Sequence, residues 1–389
     1  MKKLAIITTH PIQYYAPVFQ LLSARRSIIL KVFYTWGKEA ANSFDPGFAK
    51  NVAWDIDLLN GYEFEWINNR SRRPGSHHFN GIVNPDIIAQ IDQFEPDGLL
   101  VIGWAYNSHL KVMRHYHGNI PIYFRGDSTL LDDAGGIKSI VKKLLLSRIY
   151  KNVDRALYVG LNNRKYFEWC GLKDEQLVYA PHAVDNNRFA QSRTEEALSL
   201  RNSLNIKNGD ILILFAGKFI AKKNPLLLIE AVKNIDDSRV HLLLVGDGKL
   251  HPQLTAAASN NPNIHFLSFQ NQSAMPVVYQ ACDVFCLPSQ GPGETWGLAV
   301  NEAMACGKAV LVSDKCGCAP DLVRPGVNGY IFKSNYLDDL INSLKLLCNT
   351  QKLQNLGEAS AEIVKHFSFL NIAQSIENLV NETPRPHQA

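Results

Sequence analysis

Residues 284–312 run Val284-Phe285-Cys286-Leu287, then Pro288-Ser289-Gln290-Gly291-Pro292-Gly293-Glu294-Thr295-Trp296-Gly297, then Leu298-Ala299-Val300-Asn301-Glu302-Ala303-Met304-Ala305-Cys306-Gly307, and on through Lys308 to Ala309-Val310-Leu311-Val312. The first apolar run does not alternate with polar residues, which suits a strand buried on both faces, as in a parallel sheet. A Gly/Pro loop follows and opens a helix that begins near Gly297 or Leu298 and stops at Gly307. A second apolar run, Ala309–Val312, comes next. Strand, loop, helix and strand in that order argue for α/β architecture.

The same alternation extends outward in both directions. Short apolar or β-branched runs include Leu4–Thr8, Leu99–Ile102, Ile120–Phe124 and Ala156–Val159 in the first half. In the second half they include Ile211–Phe215, His241–Val245, Val284–Leu287 and Ala309–Val312. Helix-like stretches lie between them, such as Pro225–Asn234 with Leu226, Leu227, Ile229 and Val232 on one face. At 389 residues the chain suits two domains. The polar Gln191–Glu196 and the turn signal Lys207–Asp210 put the boundary between Phe189 and Asp210. The expected organisation is an N-terminal domain (1–190), a C-terminal domain (191–370), and a final helix with a fraying tail (371–389) that can cross back to the first domain.

Composition excludes several classes. Apolar residues are 46% and charged residues 20%, the balance of a globular protein. No apolar run nears the roughly 20 residues that span a bilayer, and Leu4–Ile7 is too short for a signal-peptide core. Seven scattered cysteines argue against a disulfide framework and for a reducing cytoplasm. Residues 1–190 carry 23 Lys/Arg against 18 Asp/Glu, and residues 191–389 carry 17 against 18. That mild bias reads as ordinary surface variation, with an anionic acceptor or membrane surface as the alternative; no nucleic-acid partner is expected.

Two constellations carry candidate chemistry. In Phe215-Ala216-Gly217-Lys218-Phe219-Ile220-Ala221-Lys222-Lys223-Asn224-Pro225, a strand ends at Gly217, and Lys218 and Lys223 sit five residues apart before a helix. Ligands of open α/β sheets collect beyond the carboxyl ends of strands, so both ammonium groups can reach a diphosphate there, or both can be solvated loop residues. In the second stretch, the free N–H groups at Gly297 and Leu298 form an anion site. Glu294 in the loop and Glu302 in the helix can address hydroxyls of a sugar and of a ribose, since a carboxylate accepts from two hydroxyls. They can equally be a loop charge and an exposed helix residue, and spacing alone does not choose.

The stretch from Gly217 to Gly329 resembles glycosyltransferase family 4, retaining enzymes of glycosyl transferases group 1. Its landmarks occur in order: Gly217-Lys218 with Lys223-Asn224-Pro225; Val245-Gly246-Asp247-Gly248; Ala281 through Ser289; Glu294 through Gly307; and Asp321-Leu322-Val323 before Gly326-Val327-Asn328-Gly329. The resemblance implies a GT-B fold, two facing Rossmann-like doubly wound domains with a cleft between them. It implies that Lys218 and Lys223 grip the diphosphate of a UDP- or GDP-linked sugar, with Gly217, Trp296, Gly297 and Leu298 lining the same site. Glu294 then touches the transferred sugar and Glu302 the ribose. Lys218 stands where relatives usually have arginine, so its contact is more point-like.

The first half matches the family less well. Thr9-His10-Pro11-Ile12-Gln13-Tyr14-Tyr15 replaces the common glycine-rich loop and resembles a subset with a His-Pro-Ile-Gln-Tyr start. His10 can reach donor or acceptor, or can be a turn histidine packed on Tyr14. Asp127 in Arg125-Gly126-Asp127-Ser128 stands where relatives carry a histidine near the reacting sugar, and an ion pair with Arg125 is the other reading. His109, His115 and His117 lack a ligand framework, and Cys282/Cys286 and Cys316/Cys318 lack finger spacing, so no metal site is expected. The basic amphipathic stretch Gly135–Arg148 is expected to pack its apolar residues on the sheet. Its alternative is peripheral docking at the inner face of the membrane, as in relatives with membrane-bound acceptors.

The expected function is metal-independent, retaining hexosyl transfer from a nucleotide diphosphate sugar to a glycan, lipid-linked or small-molecule acceptor, in cell-surface polysaccharide or glycoconjugate biosynthesis. Beyond that donor no cofactor is expected. The alternatives are a non-catalytic nucleotide-sugar-binding GT-B protein and a GT-B sugar-nucleotide epimerase. A dehydrogenase is poorly supported, because Gly246-Asp247-Gly248 lacks a third glycine and no Gly-rich turn follows the first strand.

Overall fold

The computed structural model describes residues 1–38, 44–45, 50–51, 53–348 and 350–382. The Pro/His/Gln tail expected to fray lies outside them beyond Glu382. Fifteen strands occur among the described residues: β1 (Lys3–Thr8), β2 (Ile29–Tyr34), the short pair β3 (Phe44–Asp45) and β4 (Lys50–Asn51), β5 (Glu63–Trp66), β6 (Gly98–Ile102), β7 (Ile122–Arg125), β8 (Arg155–Tyr158), β9 (Leu177–Tyr179), β10 (Ile211–Ala216), β11 (Val240–Val245), β12 (Ile264–Leu267), β13 (Val284–Leu287), β14 (Ala309–Ser313) and β15 (Gly329–Phe332). The chain divides into two compact units: Met1–Ser43 with Asp57–Pro181 and Phe369–Ala389, and Phe44–Ile56 with His182–Ser368. The polar stretch 191–196 lies inside the second unit.

In the first unit the sheet order is β5-β2-β1-β6-β7-β8-β9, every pair parallel. Helices α1 (Ala16–Arg25), α2 (Ile87–Phe94), α3 (Asn107–Tyr116), α4 (Gly136–Tyr150) and α5 (Leu161–Trp169) lie between its strands in the chain. Sequence order reverses around β1, which pairs with both β2 and β6, so the switch point lies at the ends of β1 and β6. The core gathers Ile7, Val101, Phe124, Met113, Tyr150 and Phe167.

One expectation fails here. The apolar residues of α4 do not pack on the sheet as a set: Leu146, Ile149 and Tyr150 are buried, but Ile137, Ile140, Val141, Leu144 and Leu145 are exposed. The stretch holds apolar residues on two opposite faces, and helical periodicity cannot say which face finds the core.

In the second unit the order is β12-β11-β10-β13-β14-β15, again all parallel. Its helices are α6 (Asn186–Ala190), α7 (Thr194–Ser203), α8 (Pro225–Lys233), α9 (His251–Ala258), α10 (Met275–Ala281), α11 (Leu298–Ala305), α12 (Ala319–Leu322), α13 (Leu337–Leu347) and α14 (Thr350–Val364). The last helix, α15 (Phe369–Glu382), groups with the first unit, where Arg25 reaches Glu377 at 2.9 Å. All six residues of β10 and of β11 are buried, which is why β10 reads as an unbroken apolar run and β11 as one broken only by His241. The switch point lies between β10 and β13, so the loops after these two strands are where the topology places a ligand. Gly246 keeps the ends of β10 and β11 close: its φ is 145°, and an added Cβ would stand 2.0 Å from the Gly217 oxygen. No helix among the described residues is long and apolar enough to cross a membrane.

Candidate functional site

The loop after β10 enters α8 through Asn224 in the left-handed region (φ 51°) and Pro225 at the first helical turn. That turn brings Lys223 back toward the loop after β13. The Lys223 Nζ stands 2.7 Å from Glu294 Oε2, with side chains 17% and 7% exposed. Ser289 donates to the same oxygen at 2.9 Å. The two loops are laced further: Lys222 Nζ donates to the Gly293 carbonyl at 2.9 Å, and the Gln290 side chain donates to the Ala221 carbonyl at 2.7 Å. Lys218 is half-buried just after β10.

Glu294 also faces the start of α11. Gly297, with φ 104°, caps that helix without a side chain; a Cβ there would meet Leu287 Cδ2 at 2.8 Å and Glu294 Oε1 at 3.8 Å. The first N–H groups of α11 have no partner within the helix, so the helix start carries partial positive charge. An ammonium, a buried carboxylate and a helix N-terminus therefore meet at the β10/β13 switch point. Such a group can hold a diphosphate and present a carboxylate to hydroxyls beside it.

Glu302 lies one turn further along α11 and is 4% exposed, so it is not the exposed helix residue that spacing alone allowed. Tyr279 donates to its Oε2 at 2.7 Å. The Trp296 side chain is turned into the core: its Nε1 donates to Asn301 Oδ1 at 2.8 Å, and its ring lies 5.5 Å from His182 and 6.2 Å from Phe367. Trp296 thus braces the loop, and its backbone lies next to Gly297. Cys282, Cys286, Cys316 and Cys318 are core thiols: burial pushes Cys316 up to about 12, and Cys286 and Cys318 well above the usual thiol range. No cluster of three metal-ligating side chains occurs among the described residues.

In the first unit, His10 packs its edge against Trp36 at 5.2 Å, and its Nδ1 lies 2.8 Å from Thr9 Oγ1. Burial lowers His10 to about 4, so it is a neutral imidazole at pH 7. Arg125 is fully buried; its terminal nitrogens donate to the carbonyls of Ala180 and Pro181 at 2.7 and 3.0 Å, and its Cζ lies 5.7 Å from the Tyr15 ring. Burial raises the Tyr15 phenol, while nearby Arg125 lowers it and Asp127 raises it. Tyr15 therefore senses both charges at the end of β7, and sequence reading passed over it because a tyrosine beside an apolar helix start resembles core.

The three histidines of 109–117 do not converge. His115 and His117 are exposed, while His109 is buried with Nδ1 2.6 Å from the Gly103 oxygen and Nε2 2.8 Å from Thr35 Oγ1. It ties together the residues that follow β2 and β6.

Two parallel-sheet Rossmann-like units define a GT-B fold. A protein from Anabaena crystallised with UDP and glucose shares it at TM-score 0.72, with 19% identity and coverage of 98% of this chain and 100% of that one. Sucrose-phosphate synthase from Thermosynechococcus elongatus does so at TM-score 0.74, with 17% identity and coverage of 98% and 99%. Residues 197–362 match the family described as Glycosyl transferases group 1, which supports that family for the unit holding the Lys223–Glu294 site. A lipopolysaccharide 1,2-N-acetylglucosaminetransferase of Salmonella typhimurium is 31% identical over 52% of this chain and 57% of its own length. An N,N'-diacetylbacillosaminyl-diphospho-undecaprenol alpha-1,3-N-acetylgalactosaminyltransferase of Campylobacter jejuni is 25% identical over 61% of this chain and 64% of its own length. The matched stretch thus spans less than two thirds of either relative.

Proposed function

We propose that the chain is a retaining glycosyltransferase of family 4 that moves a hexose-type sugar from a UDP- or GDP-linked donor to a glycan, lipid-linked or small-molecule acceptor. The observation that carries this reading is the Lys223–Glu294 pair, set against the start of α11 at the switch point of the second sheet. The donor diphosphate lies against Lys218, Lys223 and the N–H groups at Gly297 and Leu298. Its ribose meets Glu302, whose second oxygen is held by Tyr279. Glu294 accepts from hydroxyls of the transferred sugar.

In the step itself, the bond between the anomeric carbon and the diphosphate oxygen breaks while an acceptor oxygen bonds to that carbon from the same face. The acceptor proton passes to the departing phosphate oxygen. Lysines and helix dipole stabilise the charge that develops on that leaving group. The first unit takes the acceptor, with His10 as a neutral polar group and Asp127 beside Tyr15 as candidates for contact with the reacting hydroxyl. The matches to transferases acting on lipopolysaccharide and on an undecaprenol-linked glycan support an acceptor in surface glycan assembly.

A thermal-shift panel of UDP- and GDP-sugars tests the donor assignment. At least one donor stabilises the wild type, and Lys223→Ala and Glu302→Ala each lose most of that shift. Unchanged shifts in both variants overturn the assignment.

A further inference from the structure

The loop after β5 gathers positive charge that few carboxylates answer. From Trp66 to Pro85 the chain holds three arginines (Arg70, Arg72 and Arg73), two histidines (His77 and His78) and no acidic residue. All five of these residues are exposed. Among the described residues Arg70 meets only Asp86, at 4.0 Å, and Arg72 and Arg73 have no acidic partner. The backbone that carries them is nonetheless closely tied. Asn69 donates to the carbonyls of Trp36 and Gly81 at 3.4 and 2.9 Å and accepts from the N–H groups of Ser71 and Val83 at 3.1 and 2.9 Å. Ser71 Oγ donates to the Asn80 carbonyl at 2.6 Å and accepts from the Arg73 N–H at 3.2 Å. The Gly75 N–H donates to the Gly81 carbonyl at 3.1 Å, and a Cβ added to Gly81 would stand 1.9 Å from the Gly75 oxygen. His78 Nε2 donates to the Arg73 carbonyl at 3.0 Å. The loop is therefore folded back on itself, with the limb that bears the arginines against the limb that bears the histidines.

We propose that this loop is an anion site that takes a diphosphate or phosphate ester carried by the acceptor. Guanidinium groups present paired N–H donors that match phosphate oxygens. Charge selects the ligand. Three arginines exceed what one carboxylate neutralises, whereas a phosphate ester brings about 1.5–2 negative charges at pH 7 and a diphosphate more. The tied backbone holds these cations on one loop before any ligand arrives, so little ordering is lost on binding. Position selects the source. The loop begins at the carboxyl end of β5 and is bonded to Trp36, just beyond the carboxyl end of β2, and the His10 ring packs on Trp36 at 5.2 Å. His10 is a candidate above for contact with the acceptor hydroxyl, and an acceptor that meets it can extend past Trp36 onto the loop. The acceptor as source rests on the reaction proposed above; anion binding by the loop does not.

Titration of the full chain with inorganic pyrophosphate, followed by nuclear magnetic resonance of the His77 and His78 rings, reads this loop separately from the donor site. Both rings shift in the wild type. A charge-assisted hydrogen bond contributes roughly tenfold or more to binding, so Arg72→Gln with Arg73→Gln takes pyrophosphate at least about tenfold more weakly. That variant keeps the wild-type Tm and nucleotide response, because both residues are exposed. Arg72→Lys with Arg73→Lys keeps the charge but loses the planar fork, and recovers only part of the affinity. Lys223→Ala gives the converse, weakened nucleotide binding with the histidine response intact; should its nucleotide binding be unchanged as well, the donor assignment fails and the anion site stands. A soluble prenyl diphosphate and a hexose 1-phosphate, titrated in the same way, separate a lipid-borne from a sugar-borne source by which of them binds more tightly, and binding of neither overturns the acceptor as source. Rings that do not respond in the wild type, undiminished affinity in the Gln variant, or sulfate bound as tightly as pyrophosphate overturns the site.

Discussion

Replacing Glu294 by glutamine should tighten nucleotide binding while lowering turnover. In the ligand-free chain Lys223 is engaged by Glu294 at 2.7 Å, and side chains 17% and 7% exposed leave the pair weakly screened. A diphosphate that arrives must share this ammonium with the carboxylate and lie near a second negative charge. A carboxylate about 6 Å from a phosphate charge, at an effective dielectric near 20, repels it by roughly 3 kcal/mol before screening. Halved for solvent access at the mouth of the site, the relief is about 1.4 kcal/mol, or roughly tenfold in Kd. Glutamine keeps an oxygen for the Ser289 hydroxyl, so the loop retains that hydrogen bond. Titration calorimetry with whichever of UDP or GDP binds the wild type should show the Gln variant binding about tenfold more tightly. Transfer by the same variant should fall at least about a hundredfold, because the carboxylate we propose to meet the sugar is lost. Nucleotide binding that weakens in Glu294→Gln would refute the competition for Lys223.

The other predictions draw on different parts of the molecule. Lys223→Ala leaves Glu294 buried with its counter-charge gone and the diphosphate one ammonium short; breaking such pairs costs about 3–5 kcal/mol, read as a Tm lowered by roughly 6–20 °C in a melting scan and as nucleotide binding weakened by calorimetry. Gly246→Ala forces a Cβ to within 2.0 Å of the Gly217 oxygen, and a loss of about 3 kcal/mol or more should appear as a Tm lower by roughly 6 °C or more. Tyr279→Phe removes the 2.7 Å donor to buried Glu302 and should cost about 1.5–3 kcal/mol, with a smaller donor-induced thermal shift if Glu302 holds the ribose. Burial lowers His109 from 6.5 to about 4, so the unfolded chain binds the extra proton between those values. The neutral ring's contribution is complete above pH 6.5 and declines toward pH 4, so wild-type Tm should fall more steeply across that window than that of His109→Gln; equal slopes would remove His109 from the account.

Much of the second sheet was legible because its strands are buried on both faces. Ile211–Ala216 and Val240–Val245 have no exposed position, so Ile211–Ala216 is an unbroken apolar run and only the buried His241 interrupts Val240–Val245. β5 is not legible in the same way: Glu63-Phe64-Glu65-Trp66 is an edge strand whose glutamates reach across to Lys31 of β2, at 3.3 and 2.8 Å. Those charges look like loop until the topology supplies their partner. Site residues were legible as types at strand ends, but their pairings were not, since Lys223 and Glu294 are 71 positions apart and Tyr279 joins Glu302 from another helix. Arg125 shows the reverse: its sequence neighbours suggest an ion pair, while its terminal nitrogens are spent on two carbonyls more than 50 residues away. For α4, periodicity revealed an amphipathic helix but not which of its two apolar faces would find the core.

Binding of a nucleotide sugar at the β10/β13 switch point is tested most directly by a crystal structure of the chain soaked with UDP or GDP. The expected result is a diphosphate within hydrogen-bond distance of the Lys223 Nζ and the N–H groups at the start of α11, with the ribose hydroxyls on Glu302. A nucleotide found only elsewhere in the chain, or one at this site with its diphosphate turned away from Lys223 and α11, would contradict it.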